Sequence, residues 1–294
     1  MKPTQILNIG VLFAAMLLAP ASRTWAVEDA ALDETLPAHL RDRGLGLPTS
    51  QFGIYVRKGE WLVYPGFEYY SDKEFEYDPN EFGFPSQGEF KGRYRASEAV
   101  LFVAYGLSDR LAWELEGNGI DTSLRKAPED LTGMPAELTQ SGLGHVRTRL
   151  TWRWVEESGR RPELFSYTEV FFPHDKKKPL VGTADWVFHG GIGAIRGFRW
   201  GTLTFRAGLL FEEASASATD WGEVALEYLK RVSPRVSFYS SILVREGDEV
   251  SLINEVQWRL SPHVVLRLNN GLGLTSHGND WEPEVGVLFR LPVR

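Results

Sequence analysis

From Trp61 onward the chain changes polarity at almost every residue. The clearest run is His145 to Trp154. Val146, Thr148, Leu150, Trp152 and Trp154 take one set of alternate positions, and His145, Arg147, Arg149, Thr151 and Arg153 take the other. A period of two puts these sets on opposite faces of a β-strand, whereas a helix would mix them. The pattern recurs in Leu203–Phe211, with Arg206 on the polar face, and in Glu223–Tyr228, with Glu223 and Glu227. It recurs again in Val236–Arg245, Val250–Leu260 (Glu255 and Arg259) and Val264–Leu274 (Arg267). Earlier, Leu111, Trp113 and Leu115 oppose Glu114 and Glu116.

Short connections such as Leu107-Ser108-Asp109, Ser233-Pro234 and Ser261-Pro262 alternate with longer ones, for instance 71–92, 119–141 and 173–183. That rhythm predicts an up-and-down antiparallel meander. The strands fall near 61–70, 93–106, 110–118, 143–155, 163–172, 184–196, 202–212, 221–232, 235–245, 249–260, 263–274 and 281–291. Some segments resist the pattern. Residues 163–172 carry aromatics on both faces, and Pro65 and Pro283 lie inside strands where a missing donor weakens pairing. If 52–57 also joined, the twelve strands would become thirteen.

Composition narrows the class. The 294 residues include no Cys, which excludes disulfide scaffolds and thiol chemistry, and the net charge of −7 argues against a nucleic-acid partner. Lys2 followed by an uncharged, largely apolar run to Ser22 reads as a secretory signal peptide over residues 1–26, cleaved after Ala26, with Ala21 the other candidate. Residues 27–60 read as a periplasmic N-terminal segment, either a lead-in outside the main domain or a plug in its mouth.

Alternation alone fits a soluble sandwich or jelly roll as well as a membrane barrel. An exported chain, long apolar rows with aromatics near their ends, and polar rows rich in Arg and Glu favour the barrel. The expected fold is thus all-β, an up-and-down transmembrane β-barrel of about 12 strands over residues 61–294. Its lumen would be lined by Glu114, Glu116, Arg147, Arg149, Arg153, Arg206, Glu223, Glu227, Arg245, Glu255, Arg259 and Arg267, and also by Arg110, Arg235, Glu169, Asp185, Glu249, Glu282 and Glu284. The two signs are nearly balanced, so pairing and a narrow, weakly selective lumen are expected. Arg147, Arg149 and Arg153 are placed to neutralise Glu114 and Glu116 across the ladder.

Glu284-Val285-Gly286-Val287-Leu288-Phe289-Arg290-Leu291 resembles the C-terminal β-signal of Gram-negative outer-membrane proteins, with Pro292-Val293-Arg294 after it. The resemblance implies that Glu284, Gly286, Phe289 and Leu291 serve assembly. The alternation puts Phe289 toward lipid and Leu288 on the opposite face, where a polar replacement is expected to be tolerated better than at Phe289. Tyr105-Gly106-Leu107-Ser108-Asp109-Arg110-Leu111 and Ser141-Gly142-Leu143-Gly144-His145-Val146 resemble the outer-membrane barrels grouped with the phenol meta-pathway transporter type. That likeness implies small-solute passage, while the β-signal implies the barrel-assembly machinery as a partner. A barrel in the outer membrane is expected to meet its lipid and lipopolysaccharide.

Chemical motifs add little. Gly190-Gly191-Ile192-Gly193 reads as close strand packing rather than a nucleotide loop. Ser276-His277-Gly278-Asn279-Asp280 crowds a triad's residue types into one short loop and reads as a solvated turn. His189 with Asp185 is spaced too far along a strand to share a metal. The basic run Lys176-Lys177-Lys178 reads as a solvated loop, with lipopolysaccharide phosphate as the sharper alternative. No catalytic residue, cofactor or metal site is expected. The leading functional expectation is a small-solute channel or transporter, set against a lipid-modifying barrel enzyme and a closed structural or surface-binding barrel.

Overall fold

The computed structural model describes residues 36–86, 88–174, 177–183, 185–213, 220–245, 249–275 and 279–292. Residues 1–26, read as a signal peptide, and Ser276, His277 and Gly278 lie outside the described residues. Two short strands, β1 (Leu47–Pro48) and β2 (Tyr55–Val56), form a hairpin of their own. Twelve further strands follow: β3 (Glu60–Tyr77), β4 (Phe90–Gly106), β5 (Leu111–Arg125), β6 (Glu137–Val155), β7 (Glu163–Phe172) and β8 (Val187–Phe198). The rest are β9 (Gly201–Glu212), β10 (Asp220–Arg231), β11 (Val236–Arg245), β12 (Glu249–Ser261), β13 (Val264–Gly273) and β14 (Glu282–Pro292). Consecutive strands from β3 to β14 pair antiparallel, and β14 pairs with β3 to close the barrel. Among the described residues, 55–56 pair with 47–48 and not with the wall, which keeps an even strand number.

Along the wall strands, buried, inward positions alternate with more exposed, outward ones. The outward rows carry an apolar belt, with Phe67, Leu101, Ile192, Leu209, Leu226 and Leu268 all about half exposed. Aromatic clusters flank the belt. At the end with short turns, Trp61 meets Tyr105 at 4.6 Å and Trp113 at 6.5 Å, while Phe198, Trp200 and Tyr228 stack in series. At the end with long loops stand the pair Tyr69–Trp281 and the series Phe172, Trp186, Phe188 and Phe211. Trp61 and Tyr69 are separated by roughly 26 Å along β3 at about 3.3 Å per residue. A strand tilt of ~40° reduces this to ~20 Å of height, close to the ~25 Å apolar band of a membrane barrel. Polar groups on the outer face are satisfied within the wall. Trp113 Nε1 donates to Thr148 Oγ1 and Trp154 Nε1 to Ser166 Oγ, both at 3.0 Å, and Ser240 bonds Asn254 at 2.9 Å. A surface that faces hydrocarbon requires this, because no water is there to satisfy them.

The irregular segments have physical reasons. At the β14–β3 seam the ladder is continuous to Gly286↔Gly66 and resumes at Phe289↔Val63, and the gap falls opposite Pro65, which has no N–H to give. The inward aromatics of β7 fit because β8 supplies glycines beneath them. A Cβ on Gly191 would stand 2.5 Å from Tyr167 Cζ, and one on Gly193 2.2 Å from Phe165 Cζ. Several strands run past the expected bounds at the loop end, β3 reaching Tyr77 and β6 beginning at Glu137. Beyond the girdle, Tyr77, Leu124, Met134 and Leu180 form an apolar cluster joined by Phe75, Phe82 and Phe84. Tyr77 donates to Asp130 Oδ2 at 2.9 Å and accepts from the amide of Ala127 at 2.9 Å, tying loop 126–136 to β3.

Residues 36–59 correct the expectation of a lead-in outside the barrel: they fill its turn end. Leu47, Ile54 and Val56 pack against inward-facing Leu62, Phe102, Ala112, Val265 and Leu288. Tyr55 and Phe52 pack on the opposite wall, among Phe165, Tyr167, Ile195, Tyr239 and Leu243. Arg43 pairs with Glu157 at 3.1 Å and Glu163 at 2.9 Å, and Arg290 donates to Tyr55 O at 3.1 Å. Leu288 faces inward, opposite Phe289, and is fully buried against this plug.

Candidate functional site

Above the plug the lumen opens into a cavity of about 540 Å³, whose floor is the plug tip Ser50-Gln51-Phe52 and whose walls come from the inward rows. On the loop side, residues 177–183 fold inward. Val181 packs on inward-facing Ala96 and Ile120, Lys178 Nζ donates to Ser141 O at 2.8 Å, and Leu180 N to Gln140 Oε1 at 3.0 Å. Lys178 is thus held at the mouth; Asp175 and Lys176 lie outside the described residues.

The structure places the sequence-derived lumen residues on the inward rows at two levels. Glu116, Arg147, Arg149, Arg206, Glu223, Arg245 and Arg267 reach the cavity. Glu114, Arg153, Glu227, Glu255 and Arg259 sit lower, facing the plug or the turn rim. Arg147 bridges Glu116 at 2.8 Å and Glu169 at 3.2 Å. Arg206 pairs with Glu227 at 2.5 Å and with Glu223 at 3.6 Å, and its guanidinium lies 4.8 Å from the Phe52 ring centre. Arg267 holds Glu255 at 2.5 Å and donates to Gln51 Oε1 at 2.8 Å. Arg245 meets Glu249 at 3.5 Å.

The expected neutralisation of Glu114 and Glu116 by three arginines is realised only for Glu116. Glu114 accepts from the Ser50 amide at 2.8 Å, and Arg153 turns to Glu163 at 3.0 Å and to the Gly46 carbonyl at 2.6 Å. The plug competes for the charges that the wall alone would pair. Arg110 and Arg235 are exposed in turns, and Asp185 precedes β8, so these three do not line the barrel wall. His189 faces inward, with Nδ1 3.4 Å from Glu169 Oε2. Asp280 accepts from the Lys73 amide at 3.2 Å, which makes it a link between neighbouring loops. Among the described residues no group of His, Asp and Glu is arranged to hold a metal ion.

Sequence reading placed Glu282 and Glu284 in the lumen but missed Glu68 and Glu98, which complete that side of the cavity. Glu68, Glu98, Glu282 and Glu284 gather on β14, β3 and β4 with no cation within 4 Å among the described residues. Asn118 donates to Glu98 at 2.5 Å, and Tyr64 and Asn269 donate to Glu284 at 2.5 and 3.0 Å. Glu68 and Glu98 lie within the expected strands 61–70 and 93–106, but the rows they share also carry Leu62 and Tyr64, and Phe102 and Ala104, which pack against the plug, so neither row reads as polar. Arg147, Arg149, Arg206 and Arg245 occupy strands β6 to β11 across the barrel, where they stand among Glu116, Glu169 and Glu223, so the carboxylates that lack a cation are gathered on one side of the cavity.

Of the residues read as an assembly signal, Glu284 and Gly286 face inward, and Phe289 and Leu291 outward. Gly286 also has a local role, since a Cβ there would stand 2.3 Å from Tyr64 Cζ.

No family model and no curated protein matches the sequence. Among solved structures, the chain is similar to the COG4313 outer membrane channel from Pseudomonas putida F1, with a TM-score of 0.59, 10% identity, and coverage of 83% of this chain and 99% of that one. It is less similar to the KdgM porin in complex with disordered oligogalacturonate, with a TM-score of 0.48, 6% identity, and coverage of 78% and 98%. At such identities the likeness is one of fold: a closed barrel of the outer-membrane type.

Proposed function

We propose that the protein is an outer-membrane channel for small polar solutes, with residues 36–59 as its closing element. The observation that carries this reading is the contrast between the two faces of one wall. An apolar belt between aromatic girdles surrounds a lumen that holds charged side chains and an open vestibule. A water-exposed belt of this extent would drive association in a soluble protein. A lumen this polar would be wasted in a barrel with no aqueous path. The short-turn end then faces the periplasm and the long loops face outward, where outer-membrane lipid and lipopolysaccharide surround them. Phe289 and Leu291 lie on the lipid face of the last strand, where the barrel-assembly machinery would read them.

The plug is joined to the wall largely through hydrogen bonds and ion pairs, as well as two apolar patches. Such a contact is separable without unfolding the barrel, whose strands close on themselves. Solute flux into liposomes carrying the purified full chain tests the reading, using uncharged sugars of graded size. Slow, size-limited flux supports a channel closed for most of the time. No flux at any size, with the plug both present and deleted, supports the closed structural barrel instead.

A further inference from the structure

We propose that Arg149 is the anchor of a carboxylate-binding site in the vestibule, which takes a small organic acid as solute. The inference rests on reading the vestibule as the solute path. Five lumen arginines are nearly fully buried: Arg43, Arg149, Arg153, Arg206 and Arg267. Four of them hold carboxylates, Arg43 and Arg153 sharing Glu163, Arg206 on Glu227, and Arg267 on Glu255. Arg149, 4% exposed, is the exception among the described residues: it has no carboxylate within 4 Å, and its Nε and Nη2 have no hydrogen-bond partner. A buried guanidinium without an acceptor is costly, and folding normally avoids it.

The reason it stands alone is visible in the ladder. Its register partner on β5 is Glu114, which is taken by the Ser50 amide of the plug. Its register partner on β7 is Glu169, which is taken by Arg147 and His189. The guanidinium is instead laid on the Tyr167 ring, 3.8 Å from its centre, which fixes its plane at the cavity wall. A planar fork held this way suits bidentate recognition of a carboxylate, which Lys cannot reproduce. Phe52 and Phe171 line the same cavity and offer apolar surface to the body of the solute.

Equilibrium dialysis of the full-length protein in detergent, with benzoate as probe and benzamide as its uncharged counterpart, tests this without requiring conduction. Folding of each variant is checked by heat-modifiable gel mobility. The expected result is saturable benzoate binding, at least tenfold weaker benzamide binding, and at least tenfold loss of benzoate in Arg149→Gln. Arg149→Lys, which keeps the charge and serves if the Gln variant does not fold, should bind benzoate at intermediate strength. Arg235→Gln, in an exposed turn, should bind as the parent does. Equal binding by parent and Arg149→Gln, equal binding of benzamide, or equal displacement by inorganic phosphate would overturn the assignment. Absent saturable binding to the folded parent would overturn it as well. Failure of sugar flux with benzoate binding intact would count against the channel reading and leave the site standing.

Discussion

Glu163→Gln should loosen the plug, and the size of the effect follows from which contacts depend on the plug being seated. Glu163 is buried and holds Arg43 at 2.9 Å and Arg153 at 3.0 Å. Arg153 belongs to the wall, so its pair with Glu163 exists with or without the plug and cancels from the balance. Arg43 belongs to the plug, so its charge-assisted bond, about 1.5–3 kcal/mol, is the differential part. Gln keeps a neutral acceptor, and Arg43 keeps Glu157 at 3.1 Å. The net loss is therefore about 1–2 kcal/mol, or roughly 5- to 30-fold in the unseated population at 1.4 kcal/mol per decade. Trypsin cleavage after Arg43, only 7% exposed when seated, reads that population when reseating is faster than cleavage. A cleavage rate unchanged in a folded Glu163→Gln barrel would refute the view that this ion pair holds the plug.

Gly286→Ala puts a Cβ 2.3 Å from Tyr64 Cζ and should destabilise the barrel by about 1–3 kcal/mol, with Tyr64→Ala restoring part of the loss in urea titrations of heat-modifiable mobility. Leu288→Ala, beneath the plug, should lower stability by about 2–5 kcal/mol, whereas Phe289→Asp should reduce the amount assembled in the membrane. In the loop cluster, burial and the Asp130 carboxylate push the Tyr77 phenol up to about 12. Its folded-state value is raised, so its contribution is complete below the ordinary value near 10 and lost as pH rises through about 12. Tyr77→Phe should remove a phenolate absorbance step near pH 12 and leave steps near pH 10 unchanged.

The wall was legible because lipid on one side and charged lumen on the other impose opposite demands at adjacent residues. Arg147, Arg149 and Arg153 could be placed inward from Leu150, Trp152 and Trp154 alone. The plug was legible only as one of two readings of residues 27–60, and its contacts were not. Its segment is short and mixed in character, and its partners are distant in sequence: Arg43 meets Glu163, and Gln51 meets Arg267. The same distance hid the fate of Glu114, since alternation gives its face but not the Ser50 amide that claims it. In β7 the pattern blurred because Phe165 and Tyr167 depend on glycines of the next strand, a compensation that one strand's own sequence does not display.

Single-channel recording in planar bilayers, comparing the full chain with one lacking residues 36–56, tests the central claim most directly. Deletion removes Arg43, the Leu47–Val56 hairpin and the Ser50-Gln51-Phe52 floor while leaving all twelve wall strands. The account predicts small or infrequent currents from the full chain and large, sustained currents after deletion. Equal currents from both forms, with both barrels folded, would contradict it.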